Sequence, residues 1–172
     1  MHETERLLKL LDTDGPRLLR LLVRLTLRAD VAEDLLQELF LKLHGASGFA
    51  AARNAAAFAT RTAVNLAFDW RRRQTRCIES VALTEDIVGR PADPLNGLIQ
   101  RQELERVLTA MAELPEVQRM VLTLQHVEHQ GTDEIGRQLG RTAHQIRAIS
   151  AKGIASLRAT LNSQARREVA DG

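Results

Sequence analysis

Apolar residues along this chain recur every three to four positions almost from end to end, and no segment alternates with period two. That spacing belongs to helices with one buried stripe. After Gly15-Pro16, Leu18, Leu19, Leu22 and Leu25 share a stripe. Asp30 with Glu33 three residues on has capping-box spacing, and a helix from Val31 to His44 is expected, stopped by Gly45. Residues 45–53 are small apart from Phe49 and the terminal Arg53 and read as a loop; Asn54 is placed to cap a third helix to about Arg76. Ser80 to Asn96 has no steady period, holds Gly89, Pro91 and Pro94, and reads as a linker. A helix from about Leu98 to Leu114 follows. Pro115 suits the first turn of the next, with Val117, Met120, Val121 and Leu124 turned inward. His129-Gln130-Gly131-Thr132 breaks that helix. Thr132 to Leu139 is a short helix, Gly140 a turn, and Thr142 to about Leu161 the last helix.

The expected fold is all-α, with two small helical domains at 1–78 and 98–165, a linker at 79–97 and a tail at 166–172. The aromatics support the split. All five (Phe40, Phe49, Phe58, Phe68 and Trp70) precede residue 71, so the second core must be built from Leu, Ile, Val and Met. Phe58 and Phe68 are expected to be at least partly buried. Phe49, on its loop, is the better candidate for stacking on a base.

Net charge is only +2, from 24 basic and 22 acidic residues, so distribution matters more than the total. Arg53 to Arg76 holds six arginines and one acid, Asp69; Cys77 to Glu116 holds eight acids and three arginines. Arg137, Arg141, Arg147, Lys152 and Arg158 restore the basic sign. Two basic blocks flanking an acidic one fit two surfaces for a polyanion, and equally two solvated helix faces. Only three of the cations are lysines, which suits forked phosphate contacts but also follows from GC-rich coding.

The candidate chemistry is narrow. A single cysteine, Cys77, excludes an intramolecular disulfide framework. Cys77 has no paired base in view, and Asp69 beside Arg72 and Arg73 reads as an ion-pair partner. His126 and His129 lack a third ligand and read as surface histidines. No Gly-rich phosphate loop, nucleophile elbow or carboxylate pair is present, so neither an enzyme nor a bound cofactor is expected. No apolar run approaches 18 residues and Met1 to Glu5 lacks signal-peptide order; no membrane insertion and a cytoplasmic location are expected.

Gly131 to Ile146 has helix-turn-helix spacing, with Ile135, Leu139 and Ile146 inward and Gly136 allowing close approach. On a wheel of the last helix, Ile146, Gly153, Leu157 and Leu161 fall together. His144, Arg147, Ala148, Ala151, Lys152, Ala155 and Arg158 fall opposite. Cations flanking an alanine strip suit a helix in the major groove. In the helix from Val31, Leu35, Leu36, Leu39, Phe40 and Leu43 make a buried face, while Asp34, Gln37, Glu38 and Leu41 share the outer one. An outward leucine among acids suits a protein partner better than DNA.

These residues carry a family resemblance. Ala32-Glu-Asp-Leu-Leu-Gln-Glu38 resembles the polymerase-binding helix of bacterial extracytoplasmic-function (ECF) sigma factors. Phe58-Ala-Thr-Arg-Thr-Ala-Val-Asn-Leu-Ala-Phe-Asp-Trp-Arg-Arg-Arg73 is similar to their promoter-melting helix, and Leu114-Pro115 with the helix-turn-helix resembles their region 4. The resemblance implies an RNA polymerase sigma factor. Asp34, Leu35, Gln37, Glu38 and Leu41 would meet the beta-prime clamp, and the beta flap would dock on region 4. Phe49, Arg53, Asn54, Phe58, Arg61, Asn65, Arg71, Arg72 and Arg73 would engage the minus-ten element. Arg141, His144, Gln145, Arg147, Ala148, Ala151 and Lys152 would engage the minus-thirty-five element. An anti-sigma factor is an implied partner. The family often has Trp at the place of Phe58, a polar or basic residue at Ala148 and an aromatic one at Ala151, so promoter sequence does not carry over. Ala151-Lys-Gly-Ile-Ala155 resembles the iron-starvation subgroup, which answers to a membrane-anchored regulator.

From the residues alone, two other classes stay open. One is a helix-turn-helix regulator that binds duplex DNA without polymerase. The other is a helical protein-interaction module, which would need no basic recognition face.

Overall fold

A computed structural model describes residues 2–80 and 94–170, which form eight helices and no strand. They are α1 His2–Thr26, α2 Ala29–Leu43, α3 Ser47–Ala51, α4 Ala55–Ser80, α5 Pro94–Ala112, α6 Glu116–His126, α7 Thr132–Leu139 and α8 Ala143–Ala170. The expected linker falls largely on 81–93, outside the described residues. Two compact units divide between Trp70 and Arg71, so the last turns of α4 group with the second unit.

In the first unit, α1 packs on α2 through Leu18, Leu21, Leu22 and Leu25 and through Leu35, Leu39 and Leu43, all buried. Burying each such leucine contributes roughly 1.5–3 kcal/mol, before the entropy of ordering it. From α4 come Ala59, Ala63, Val64, Ala67 and Phe68, also buried. Arg17 on α1 ties the helices laterally: its Nη2 donates to Thr60 Oγ1 at 2.7 Å and its Nε to Asp14 Oδ1 at 3.2 Å.

Three expectations fail here. Helix α1 begins at His2, well ahead of Gly15-Pro16, and carries Pro16 inside it. The stripe Leu7, Leu10, Leu11, Leu18 already runs at helical spacing, which outweighs the local break signals. Asp30 is not the cap of α2. The cap position is Arg28, without a side-chain cap bond. Asp30 lies in the first turn and pairs with Arg28 at 2.5 Å, which holds its carboxyl below the usual range. Residues 45–53 are not all loop, because 47–51 close one helical turn as α3. Gly45 does end α2, at φ 80°, and Asn54 does cap α4, its Oδ1 accepting from Ala57 N–H at 3.0 Å.

In the second unit, α8 packs against α5, α6 and α7. Leu108, Met111, Leu114, Met120, Val121, Leu122, Leu124, Ile135 and Ile146 fill its core, without an aromatic ring among them. Val117, expected inward, is 38% exposed. Helices α5 and α8 are longer than expected, starting at Pro94 and ending at Ala170. Arg119 is buried and its Nη1 donates to the carbonyl of Leu114 at 2.9 Å, satisfying backbone acceptors that the end of α5 leaves open.

The turn between α7 and α8 is set by sterics. Gly140 has φ 64°, and Arg141 N–H donates to the carbonyl of Gly136 at 2.9 Å. A Cβ on Gly136 would stand 2.6 Å from the carbonyl oxygen of Arg141, so only glycine admits this approach. The start of α8 is a reciprocal cap: Gln145 N–H donates to Thr142 Oγ1 at 3.2 Å, and Thr142 N–H to Gln145 Oε1 at 3.0 Å.

Candidate nucleic-acid interface

Helix α8 presents the separation read from its sequence. Ile146, Ser150 and Gly153 are buried; Leu157 and Leu161 are half-buried. Arg141, His144, Arg147, Ala148, Ala151, Lys152, Ala155 and Arg158 are all exposed. Gly153 explains how the inner face seats, since a Cβ there would lie 3.1 Å from Leu122 Cδ1 on α6. Among the described residues Arg141, Arg147, Lys152 and Arg158 form no ion pair, so their charge faces water. A row of cations around small side chains lets a helix backbone approach a groove while guanidinium and ammonium groups reach phosphate or guanine edges. Gln145 differs: its side-chain oxygen already accepts one hydrogen bond in the cap, from Thr142 N–H, which ties the amide to the start of the helix.

The arginine-rich α4 divides its cations. Arg61 and Arg73 on α4, and Arg53 and Asn54 just ahead of it, are exposed. Phe58 and Asn65 are half-buried, and Asn65 Oδ1 is shut off from solvent. Arg71 corrects the expectation of an open strip. It is 3% exposed, and its Nη1 and Nη2 lie 2.7 and 3.4 Å from the two carboxylate oxygens of Glu105. Arg72 is half-buried and donates to the carbonyl of Ala112 at 3.0 Å. Both guanidiniums are engaged by the protein, and Arg73 alone of the three is exposed.

Phe49 is the larger correction. It lies on α3 and is fully buried, with its ring 6.1 Å from that of Phe58 at a 55° tilt. A buried ring offers no face to an incoming base. The guanidinium carbon of Arg6 lies 5.3 Å from the Phe49 ring centre, and Arg6 also donates to the carbonyls of Ala50 and Ala52. Arg6 was missed by the sequence reading because 1–14 carried only a leucine spacing ahead of an apparent break.

Of the five α2 residues that the family resemblance sets against the polymerase, four stand on the outer face read from the sequence, and Leu35 stands on the buried face read from it. Asp34 and Gln37 are exposed, Leu41 is 75% exposed, and Glu38 is bonded at 3.2 Å to Lys42 one turn on. Leu35 is the exception: at 4% exposure it belongs to the core between α1 and α2 and cannot meet a partner. Among the described residues no group of three His, Cys, Asp or Glu could hold a metal, and no helix is long and apolar enough to cross a membrane.

The chain is similar to known proteins over segments of both units. The Sigma-70 region 2 model matches residues 10–77, and the Sigma-70 region 4 model matches residues 104–148. The chain belongs to the sigma-70 family. It is 30% identical over 95 residues to the RNA polymerase sigma factor FliA of Yersinia enterocolitica, which covers 55% of this chain and 40% of that protein. The chain thus spans well under half of that relative's length. The fold is also that of the sigma factor RpoE solved in complex with the anti-sigma factor NepR from Bartonella quintana. The TM-score is 0.50 at 20% identity, over 92% of this chain and 96% of that one. Region 2 takes in α2 and most of α4, and region 4 takes in α6, α7 and the start of α8.

Proposed function

We propose that the protein is an ECF-class sigma factor, a non-catalytic specificity subunit that brings core RNA polymerase to its promoters in the cytoplasm. In this reading region 2 (1–78) opens the minus-ten element, region 4 (98–165) reads the minus-thirty-five element, and 79–97 links them. The observation that carries it is the co-occurrence, in family order, of an acidic outer stripe with an exposed leucine on α2 and an unpaired cationic face on α8. The first suits the beta-prime clamp of the polymerase and the second suits DNA; the beta flap docks on region 4. A regulator that binds its operator alone has no use for the α2 stripe.

Asp34, Gln37, Glu38 and Leu41 bind the polymerase. Arg53, Asn54, Arg61 and Arg73 serve the minus-ten strand, with Phe58 and Asn65 behind them. Arg141, His144, Arg147, Ala148, Ala151 and Lys152 face the minus-thirty-five element. The solved relative bound to an anti-sigma factor supports an anti-sigma partner here too. Only 151–155 points to the iron-starvation subgroup, so the assignment stops at the ECF class.

Reconstitution with core polymerase tests the reading. The wild-type chain should bind core enzyme, bind promoter duplex weakly alone, and open promoters as holoenzyme, seen by permanganate footprinting. Asp34→Arg with Glu38→Arg should abolish core binding, because like-charge contact at an interface costs several kcal/mol. Tight operator binding without polymerase would establish the regulator instead.

A further inference from the structure

We propose that Arg6 is a positioning residue for the minus-ten element, fixing the path of the segment 47–54 from a helix turn outside the matched family region. This rests on the reading of the first unit as a promoter-opening module. Arg6 stands on α1, ahead of the residues 10–77 that match region 2. It makes three contacts with one guanidinium. Nη1 donates to the carbonyl of Ala50 at 2.9 Å, Nη2 donates to the carbonyl of Ala52, and the guanidinium carbon stands over the Phe49 ring, 5.3 Å from its centre.

Each contact supplies something that α3 lacks. Five residues are too few for a helix to hold itself in water, because nucleation is costly and few bonds reward it. The carbonyls at its end have no intrahelical partner. Arg6 satisfies two carbonyls there and stands over Phe49, whose ring also packs on Phe58 of α4. Gly48 sits so near that ring that a Cβ would lie 3.3 Å from Phe58 Cε2 and Cζ. Helices α1, α3 and α4 are thereby joined at one point.

The consequence is for what faces outward. With Phe49 inside, the exposed residues of the segment are Ser47, Gly48, Ala50, Ala51, Arg53 and Asn54. Most carry little or no side chain, so a captured base meets backbone groups, Arg53 and Asn54. Backbone groups discriminate only when they are held still, since ordering them on binding would consume the contact energy. Arginine suits this task and lysine does not, because a planar fork reaches two carbonyls while its face stays on a ring.

The test uses the full-length chain assembled with core polymerase. The probe is a single-stranded oligonucleotide carrying the minus-ten sequence that the wild-type holoenzyme selects from a randomised library, beside versions with each base replaced. Arg6→Gln should cut the ratio of affinities for selected over substituted oligonucleotides about threefold to tenfold, with minus-thirty-five duplex binding unchanged. Arg6→Lys keeps the charge and loses the fork, so it should fall short of wild type in the same direction. Wild-type base preference in folded Arg6→Gln, or in Arg6→Lys should the glutamine variant not fold, overturns the proposal and leaves the sigma-factor reading standing. A wild-type holoenzyme without preference among the oligonucleotides overturns both.

Discussion

Arg71 and Arg147 stand in the chain's two basic blocks, yet the first is buried against Glu105 and the second is open to solvent. The difference follows from how cations are spaced. Arg71, Arg72 and Arg73 are consecutive, and at 3.6 residues per turn they sweep about 200° of a helix. Such a run has to turn at least one guanidinium toward the protein, and here it turns two: Arg71 to a carboxylate and Arg72 to a backbone carbonyl. The exposed cations of α8, Arg147, Lys152 and Arg158, are five and six residues apart, which at 3.6 residues per turn keeps them within about 140° of one another, while Ile146 and Gly153 stay on the other side. Counting arginines identifies a basic block; only their period says which of them are available to a polyanion.

The largest expected effect tests the first block where its aromatic neighbour was misplaced. Phe49→Ala should destabilise the first unit by about 3–5 kcal/mol, the range for removing a buried ring. Denaturant titration of the full chain, followed by Trp70 fluorescence, measures it. A loss under about 1 kcal/mol, with impaired promoter opening, would put the ring back outside and erase the contrast with α8.

On α8 the corresponding test is Arg147→Ala. An exposed arginine can grip guanine O6 and N7 with two hydrogen bonds, so its loss should cost about 1–3 kcal/mol in promoter binding and relax preference at one upstream position. Stability should stay within about 0.5 kcal/mol, as for an exposed side chain without a partner. Binding of the variant holoenzyme to a randomised minus-thirty-five library reads both. Unchanged base preference would leave α8 docking by backbone contacts alone.

The same contrast marks how far the sequence was readable. The helix-turn-helix was legible nearly to the residue, because Gly136, Gly140 and a two-faced wheel each restrict the backbone in a way that composition displays. The acidic outer stripe of α2 was legible for the same reason. What stayed hidden depends on distant partners. Arg71 needs Glu105, 34 residues on, and Phe49 needs Arg6 and Phe58 from two other helices. Small residues around Phe49 resemble a loop until a tertiary clamp closes a turn there. Break signals at residues 12–16 likewise concealed that α1 begins at His2, since leucine packing outweighs local propensity.

A smaller effect asks whether Arg71 is a reserve cation. Glu105→Gln removes its carboxylate partner. Because Glu105 is 52% exposed and water screens the pair, the loss should be about 1 kcal/mol, well under the 3–5 kcal/mol of a fully buried pair. Affinity for single-stranded minus-ten DNA should not change, because the Arg71 guanidinium stays buried. A clear gain in that affinity would show that Glu105 competes with the DNA backbone, and would place Arg71 with the open cations.

Lys152→Ala is the mildest variant, and it separates charge from sequence reading within α8. Lys152 is exposed on the same side as Arg147, across the alanine strip from it. Its ammonium is a compact charge on a flexible stem, suited to phosphate rather than to a two-bond grip on a base. A phosphate contact displaces about one counterion, so its loss lowers the log–log dependence of binding on salt by about one unit. The variant should therefore weaken all promoters alike, most at low salt, with base preferences intact. Holoenzyme binding to one promoter and to its minus-thirty-five substitutions, at two salt concentrations, measures slope and preference together. A changed preference with an unchanged slope would reverse the roles of the two cations. Lys152 would then be reading a base edge, and Arg147 would be the one holding the helix to the backbone.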